Sequence, residues 1–329
     1  MKYFDIHGFT FSVDDNISKI FDREYGWASK SFIDESDLCL AVRKYKHEKE
    51  LPTKPIGCHC GLLIPFGKTH RILWYNANIP TNFILSHVEG LFWWPDKTLM
   101  HSAGVTKDGL AFLFTGPGNV GKTSIVLRLL GEGYDYLGDD WLVVGNEKVY
   151  PLPKTIRVFD YNLNNPDISK KVLGFRRFFI KPYIGLMRFG RKHAPHRYLR
   201  YGFNMIRPVF NVHFSVLRPG SKVAKPTKIS RIFFLERRNV SQIKLESNLP
   251  PDNLAERMAS VSEFEWNFIR REYHRYKTQL GIFDEHFEQQ LSHDKIILEN
   301  TFRQTEIIKV TIPHGLDLSN MDIENILNL

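Results

Sequence analysis

The sequence predicts an α/β protein, with a strand-rich N-terminal domain over residues 1–82 and a larger α/β domain over residues 83–329. Three observations lead to this class. A buried strand, a glycine-rich loop and an amphipathic helix follow one another over residues 110–131, strand-length apolar runs recur on both sides of this unit, and helical patterns interrupt them. With 329 residues, 43% of them hydrophobic, the chain can bury a substantial core.

Short apolar and β-branched runs predict three strands in the N-terminal domain, at residues 9–13, 38–42 and 72–75. Between the last two stands Cys58-His59-Cys60, which invites a zinc interpretation. No second cluster supplies the paired ligands that a structural zinc site needs, so a buried strand is favoured there. The chain has 3 cysteines, which cannot form a disulfide framework and suit a reducing compartment.

A hairpin is predicted where the larger domain begins its sheet. The runs 101–106 and 110–115 are separated by Lys107-Asp108-Gly109, and Asp-Gly between two apolar runs is a strong signal for a tight turn. Pairing the two strands about this turn sets His101 opposite Thr115 or Gly116. We therefore expect His101 beside the loop that follows the second strand, although the two are distant in sequence.

Residues 116–123 read Gly-Pro-Gly-Asn-Val-Gly-Lys-Thr, which is the complete GxxxxGK[ST] pattern of a phosphate-binding loop. Backbone N–H groups of such a loop turn toward phosphates, and the next helix adds its positive N-terminal end. Lys122 can reach the β and γ phosphates, and the Thr123 hydroxyl can ligate Mg²⁺. The sequence thus predicts a site for a nucleoside triphosphate with Mg²⁺, and leaves ATP or GTP open as the phosphoryl donor. Its residues are Gly116, Pro117, Gly118, Asn119, Val120, Gly121, Lys122, Thr123 and Ser124.

Two adjacent carboxylates, Asp139 and Asp140, follow the predicted loop helix and precede the apolar run 141–144. A phosphate loop needs such companions because Mg²⁺ takes oxygen ligands and an attacking hydroxyl needs a proton acceptor. The alternative for the pair is a solvated turn, and for His101 it is an ordinary strand histidine.

The net positive charge of the chain comes from one segment. Residues 168–235 contain 16 Lys or Arg and no Asp or Glu, whereas the whole chain has a net charge of +9. Aromatic side chains stand between these charges, and we treat residues 168–230 as a basic aromatic insertion. Phosphates, nucleic acid or an anionic membrane suit this mixture, since Arg and Lys neutralise charge while aromatic rings stack or insert. Among these partners an anionic small-molecule or peptide substrate is favoured over nucleic acid and a membrane surface. The surface for an acceptor or polyanion is predicted at Arg176, Arg177, Arg191 and Lys192.

A contact within the protein, or between subunits of a homo-oligomer, remains open for the same segment. Beyond it, the sheet is expected to resume at residues 231–236 and to end with a strand at 307–312. Between these strands, Asp252 after two prolines predicts a helix N-cap, and apolar positions at helical spacing continue to Gly281. The sequence therefore predicts one long helix over 252–281.

Three stretches together resemble a known family. HSAGV at 101–105, GLAFLFTGPGNVGKTS at 109–124 and GDD at 138–140 are similar, in order and spacing, to the catalytic core of the HPr kinase/phosphorylase family, over residues 101–144. The resemblance includes relatives that stand alone without a phosphotransferase system. It implies a P-loop, phosphoenolpyruvate carboxykinase-like kinase fold and an ATP-dependent kinase that transfers the γ-phosphoryl group to a hydroxyl.

The resemblance also implies roles for single residues. His101 would polarise the reacting groups, Lys122 would clamp the phosphates, Thr123 and Asp139 would hold the metal, and Asp140 would accept the proton of the hydroxyl. The chain departs from the family after Val149, where a glutamate-led glycine-rich motif is expected. The nearest carboxylates to that motif in this sequence are Asp160 and Asp167.

The acceptor stays open among a protein or peptide serine, a sugar or polyol, and a nucleic-acid hydroxyl. The rival function is a non-kinase ATP-binding or ATPase switch whose basic segment binds nucleic acid or another polyanion. No run approaches the ~18 consecutive apolar residues of a membrane span, and the N-terminus lacks the apolar stretch of a signal peptide. We therefore expect the protein in the cytoplasm.

Overall fold

A computed structural model describes residues 1–33, 36–45, 69–75, 84–85, 88–193, 196, 208–247, 249–281, 283–316 and 318. Cys58, His59 and Cys60 lie outside the described residues, as does the domain boundary predicted at residue 82. The fold is mixed α/β, with a smaller sheet near the N-terminus and a larger sheet that carries the glycine-rich loop.

The N-terminal sheet has five strands in the order β3-β1-β2-β4-β5, and it confirms the three strands predicted from the sequence. A helix, Asp15–Tyr25, and a 3-10 turn, Gly26–Ala28, connect its second and third strands. Side chains alternate between the core and the surface along the first strand, as expected for a half-buried sheet. The strands are β1 (Lys2–Ile6), β2 (Phe9–Val13), β3 (Ser29–Lys30), β4 (Leu38–Tyr45) and β5 (Thr69–Tyr75).

The larger sheet has nine strands, and a separate two-stranded ribbon, β12 with β13, lies outside it. The chain-order bounds are β6 (Thr98–Met100), β7 (Ser102–Lys107), β8 (Leu110–Thr115), β9 (Asp135–Gly138), β10 (Leu142–Gly145), β11 (Lys148–Tyr150), β12 (Ile156–Phe159), β13 (Val209–Val212), β14 (Thr227–Arg238), β15 (Lys244–Ser247) and β16 (Glu306–Pro313). The predicted strands at 231–236 and 307–312 are thereby confirmed within β14 and β16.

Strand β14 organises this sheet. It runs parallel to both β8 and β16, while β7 pairs antiparallel with β8 on the other side. The carboxyl ends of the three parallel strands therefore meet at one edge, and ligands commonly bind at such an edge in open α/β sheets. The glycine-rich loop leaves the sheet there, directly after Thr115.

Helices cover the larger sheet on its flanks. The first, Lys122–Gly131, is the loop helix and follows the phosphate-loop motif directly. Further helices in the described part of this region are Pro166–Leu173, Arg177–His193, Phe214–Leu217, Pro251–Glu265, Asn267–Leu280 and Glu285–Arg303, with 3-10 turns at Asn162–Asn164 and Gly174–Arg176. In the part of the chain that the structure describes, none of the helices is long and apolar enough to cross a membrane.

The prediction of a single helix over 252–281 was wrong in two respects, the residue at which the helix begins and its continuity. It begins at Pro251, so Asp252 lies in the first turn and is not the N-cap, because proline is preorganised for the first helical position. It also breaks at Trp266, between Glu265 and Asn267. At this break the ring of Trp266 is buried and stacks on Trp141, with centroids 4.4 Å apart.

A common core joins the N-terminal sheet to the larger sheet. Phe4, Phe11 and Phe21 from the N-terminal region belong to the same buried apolar cluster as Trp141 and Trp266. Two further clusters fill the two faces of the larger sheet around the loop helix and the helix Pro251–Glu265. The predicted site thus lies on a continuous, well-packed support.

Candidate phosphate and metal site

The loop between β8 and the loop helix fits tightly against the end of β14. Gly116 has a φ of +136°, and a Cβ there would lie 2.3 Å from the carbonyl oxygen of Leu235. Gly121 has a φ of +113°, and a Cβ there would lie 2.3 Å from Cδ1 of Leu318. L side chains are strained at both φ values, so glycine is favoured at both positions. At Gly116 the neighbouring atom is a backbone oxygen, which leaves no room for a methyl group, whereas the Leu318 side chain beside Gly121 can shift.

Lys122 begins the loop helix, and its ammonium group folds back over the loop. Its Nζ donates hydrogen bonds to the carbonyl oxygens of Gly116, at 2.8 Å, and Pro117, at 3.0 Å. Burial lowers the pKa of Lys122 to about 8, against the raising effect of Asp139 and Asp140. A cation held in this position by neutral carbonyl groups is available to an anion that enters the loop.

Thr123 and Asp139 form a joined pair. The Thr123 hydroxyl lies 3.1 Å and 2.9 Å from the two carboxylate oxygens of Asp139, to which it donates. Asp139 is buried at the end of β9. Burial raises the pKa of Asp139 to about 6, and the neighbouring charge of Asp140 acts in the same direction. The Thr123 hydroxyl and the charge of Lys122 act in the opposite direction, and a cation bound beside this carboxylate would likewise stabilise its ionised form.

His101 lies where the hairpin prediction put it. Strands β7 and β8 pair with Ser102 opposite Thr115, so His101 stands at the start of the loop. The ring is buried and meets Trp141 edge to face, with centroids 5.1 Å apart. Burial, reinforced by the charge of Lys122, lowers the pKa of His101 to about 4. The imidazole is therefore neutral at pH 7.

Asp140 follows Asp139 directly and lines the same cavity, but it has different partners. Its backbone has a φ of 79°, which is rare outside glycine and typical of strained functional positions. Its carboxylate oxygens lie 3.8 Å from Nδ1 of His101 and 3.7 Å from a guanidinium nitrogen of Arg157. Burial alone would raise the pKa of Asp140, but the charges around it, Arg157 first, hold it below its ordinary value. Asp140 is therefore ionised at neutral pH.

These side chains surround one cavity of about 200 Å³. It is lined by His101, Gly118, Asn119, Val120, Gly121, Lys122, Thr123, Ser124, Asp139, Asp140, Arg157, Phe159, Tyr161 and Glu265. The structure thus brings together all four predicted catalytic residues with most of the predicted loop; Gly116 and Pro117 form the base of the loop and contact Lys122 instead.

No known protein-family model matches this chain, and no curated protein matches it in sequence. The chemistry of the site therefore rests on its own geometry.

Four lining residues, Arg157, Phe159, Tyr161 and Glu265, were not predicted as site residues, and two of them are charged. Arg157 comes from β12, and Glu265 stands at the break before Trp266. The residues Asp160 and Asp167, which are nearest in sequence to the missing family motif, do not line the cavity. Asp160 is buried against Arg188, and Asp167 pairs with Lys171. The additional carboxylate at the cavity is that of Glu265, which comes from the C-terminal half of the chain.

The donor groups present fit magnesium and phosphate. The Thr123 hydroxyl and the Asp139 carboxylate are hard oxygen donors, which Mg²⁺ prefers, and the two glycines leave the loop backbone open to an anion. Nδ1 of His101 is buried and has no hydrogen-bond partner among the described residues. Within the same residues, no group of three or more His, Cys, Asp or Glu side chains gathers as a metal site, so Mg²⁺ would take its other ligands from phosphate and water.

The predicted acceptor surface lies outside this cavity. Arg176 is exposed and Arg177 half-buried at the start of the helix Arg177–His193, and neither lines the cavity. The side chains of Arg191 and Lys192 lie outside the described ones. The role of these four residues stays a prediction.

Proposed function

We propose that this protein is an ATP-dependent kinase of the P-loop, phosphoenolpyruvate carboxykinase-like type, which transfers the γ-phosphoryl group of ATP to a hydroxyl. The observation that supports this proposal most is the contrast between Asp139 and Asp140. Neighbouring carboxylates have opposite pKa shifts, one bonded to the loop threonine and the other ionised and facing the cavity. Such a pair suits one metal ligand and one proton acceptor.

The donor side of the site consists of the loop, Lys122, Thr123 and Asp139. The backbone N–H groups and Lys122 would neutralise the β and γ phosphates. The ammonium group of Lys122 now donates to two neutral carbonyl oxygens, and charged phosphate oxygens would bind it more strongly. Thr123 and Asp139 would hold Mg²⁺, whose chemistry here is to neutralise charge on the transferring phosphoryl group.

The acceptor side consists of Asp140, His101 and Arg157. The ionised Asp140 would accept the proton of the attacking hydroxyl. Because His101 is neutral and carries an unpartnered nitrogen toward Asp140, it can orient that carboxylate or the hydroxyl. Arg157 holds Asp140 ionised and offers positive charge at the mouth of the cavity.

A second cavity of about 290 Å³ supports a nucleotide donor. It shares Ser124 and Tyr161 with the first cavity and extends along the loop helix toward Arg128 and Arg218. A triphosphate in the loop would therefore have space for its nucleoside part beside the helix. This space is larger than the phosphate cavity itself, as a ribose and base require.

The second candidate is a nucleotide-dependent switch that binds a polyanion without phosphorylating it. The exposed basic residues near the start of the helix Arg177–His193 favour it. The kinase and the switch differ in the fate of the γ-phosphoryl group, because only a kinase leaves it on an acceptor.

The test is incubation of the protein with γ-labelled ATP, Mg²⁺ and cell extract divided into protein, RNA and small-molecule fractions. We expect label in one fraction with the parent protein and none with Lys122→Ala. Lys148→Ala, which changes an exposed lysine on β11, is the matched control and should label like the parent. Release of free phosphate without labelling of any fraction would support the switch.

A further inference from the structure

The helix Arg177–His193, together with the turn Gly174–Arg176 before it, presents a row of large apolar side chains to the outside. We call this row the outer stripe. The residues recur at helical spacing, so that they lie on one face. Its members are Phe175, Phe178, Phe179, Tyr183, Leu186 and Phe189, all of them exposed.

The opposite face of the same helix is fixed to the protein. Ile184 and Met187 are buried, and Ile184 belongs to the core around the loop helix. Arg188 donates to the side chains of Asp160 and Asn164, which anchors the helix beside the 3-10 turn Asn162–Asn164. The helix is thus apolar on two faces, and its packing leaves the more aromatic face outside. Packing in the core of the protein therefore explains the apolar side chains on the buried face of the helix but not those of the outer stripe.

Basic residues flank the outer stripe. Arg176 and Lys181 are exposed beside it, and the surrounding segment, residues 168–235, contains no Asp or Glu. A row of aromatic and aliphatic side chains with cationic flanks matches a helix that lies in the plane of a membrane interface. The apolar side chains enter the boundary of headgroups and acyl chains, and the cations meet anionic headgroups.

We propose that the outer stripe docks this protein on an anionic lipid bilayer. Charge complementarity selects this occupant over a second copy, because a symmetric contact would bring the same basic flanks together with no acidic residue of the segment to pair them. It is also favoured over single-stranded nucleic acid. The stripe includes Leu186, and the exposed Pro182 lies beside it on the helix; neither side chain has a π-face on which a base stacks.

The test is flotation of the purified protein with vesicles of phosphatidylcholine alone or of equimolar phosphatidylcholine and phosphatidylserine. The variant is Phe178→Ser with Phe179→Ser, where the rings are 59% and 70% exposed. The matched control is Phe32→Ser with Phe283→Ser, where the rings are 65% and 64% exposed elsewhere on the molecule. Circular dichroism melting checks that both variants keep the parent fold.

We expect the parent and the control to float with the phosphatidylserine vesicles and not with phosphatidylcholine alone. The Phe178→Ser/Phe179→Ser variant should partition at least about tenfold less, because two aromatic side chains lose their apolar burial. Added salt should weaken flotation of the parent, since the flanking cations are screened.

Four results would overturn the proposal. The parent could fail to float with either vesicle, or the two double variants could float equally. Alternatively, the Phe178→Ser/Phe179→Ser variant alone could become smaller on gel filtration while its flotation equals that of the parent, which would make the stripe a contact between copies. Retention of the parent on a single-stranded RNA oligonucleotide without vesicle binding would also contradict a lipid surface.

Discussion

The phosphate site and the outer stripe place their positive charges in opposite environments. In the site, Lys122 is buried and faces two carboxylates within one cavity. Beside the outer stripe, Arg176 and Lys181 are exposed, and residues 168–235 offer them no acidic partner. One region holds its charges in fixed positions within the fold, and the other holds them at the surface of an apolar face.

This contrast separates two kinds of binding. A buried cation next to ionised groups discriminates by geometry, because each partner must reach a fixed position in a medium of low polarity. Exposed cations act over longer distances, are screened by salt and depend little on the exact partner. We therefore expect substitutions in the site to change chemistry and stability steeply, and those at the surface to leave the site unchanged.

The largest effect is expected from Asp140→Asn. Asparagine keeps the shape and tolerates the left-handed backbone at this position, but it cannot accept the hydroxyl proton. Phosphoryl transfer from labelled ATP should fall by about 10²–10⁴-fold while ATP still stabilises the protein against heat. Asp108→Asn, at an exposed turn residue with φ of 53°, is the control and should transfer like the parent. Parental transfer by the Asp140 variant would remove Asp140 as the proton acceptor.

The next effect concerns the fit of the loop on β14. Gly116→Ala should lower the free energy of unfolding by about 2–4 kcal/mol, because the methyl group meets the Leu235 carbonyl at a strained φ. Gly118→Ala, where a Cβ meets no atom within 4 Å, should change it by less than about 0.5 kcal/mol. Urea denaturation measures both. Equal values for the two variants would mean that the loop is not held against β14.

A smaller effect should appear in the pH dependence of stability without Mg²⁺ or nucleotide. The pKa of His101 falls from 6.5 to about 4 on folding, so below pH 6.5 the unfolded chain binds a proton that the folded protein does not. The parent should therefore lose stability relative to His101→Asn as the pH falls from 6.5 to 4, by up to about 2–3 kcal/mol. The difference should be constant between pH 7 and 8, and a constant difference at all pH values would contradict a buried neutral imidazole.

The smallest effect on the site is expected at the surface. Reversing Arg176, Arg177, Arg191 and Lys192 together to Glu should leave the ATP-dependent stabilisation within experimental error, because Arg176 and Arg177 do not line the cavity. The same variant should weaken binding to a polyanionic partner or acceptor, and added salt should have that effect on the parent. A loss of ATP-dependent stabilisation with the fold intact would show that the two regions are not separate.

Local patterns allowed much of the site to be predicted. The turn at Asp108-Gly109 determines the pairing of β7 with β8, and this pairing brings His101 to the loop. The loop motif and the pair Asp139 and Asp140 each lie within a few residues of a strand end, where sequence spacing determines position. These predictions depend on contacts between neighbours in sequence.

The remaining site residues depend on long-range packing. Glu265 lines the cavity from the last position of the helix Pro251–Glu265, directly before Trp266, whose ring stacks on Trp141. The residues around Trp141 and those around Trp266 do not indicate that these two rings will meet. Similarly, the charges of residues 168–235 were visible in the sequence, but which apolar face of the helix is buried depends on the packing of Ile184 and Met187.

The most direct measurement of the central claim is the thermal unfolding of the protein with and without ATP and Mg²⁺. At a hundredfold excess of ATP over its dissociation constant, the parent should gain about 2.7 kcal/mol of stability, and Lys148→Ala should gain the same. Lys122→Ala should keep the fold and gain almost nothing, because the cation that meets the phosphates is gone. An equal gain in Lys122→Ala and the parent would contradict the assignment of residues 116–124 as the triphosphate site.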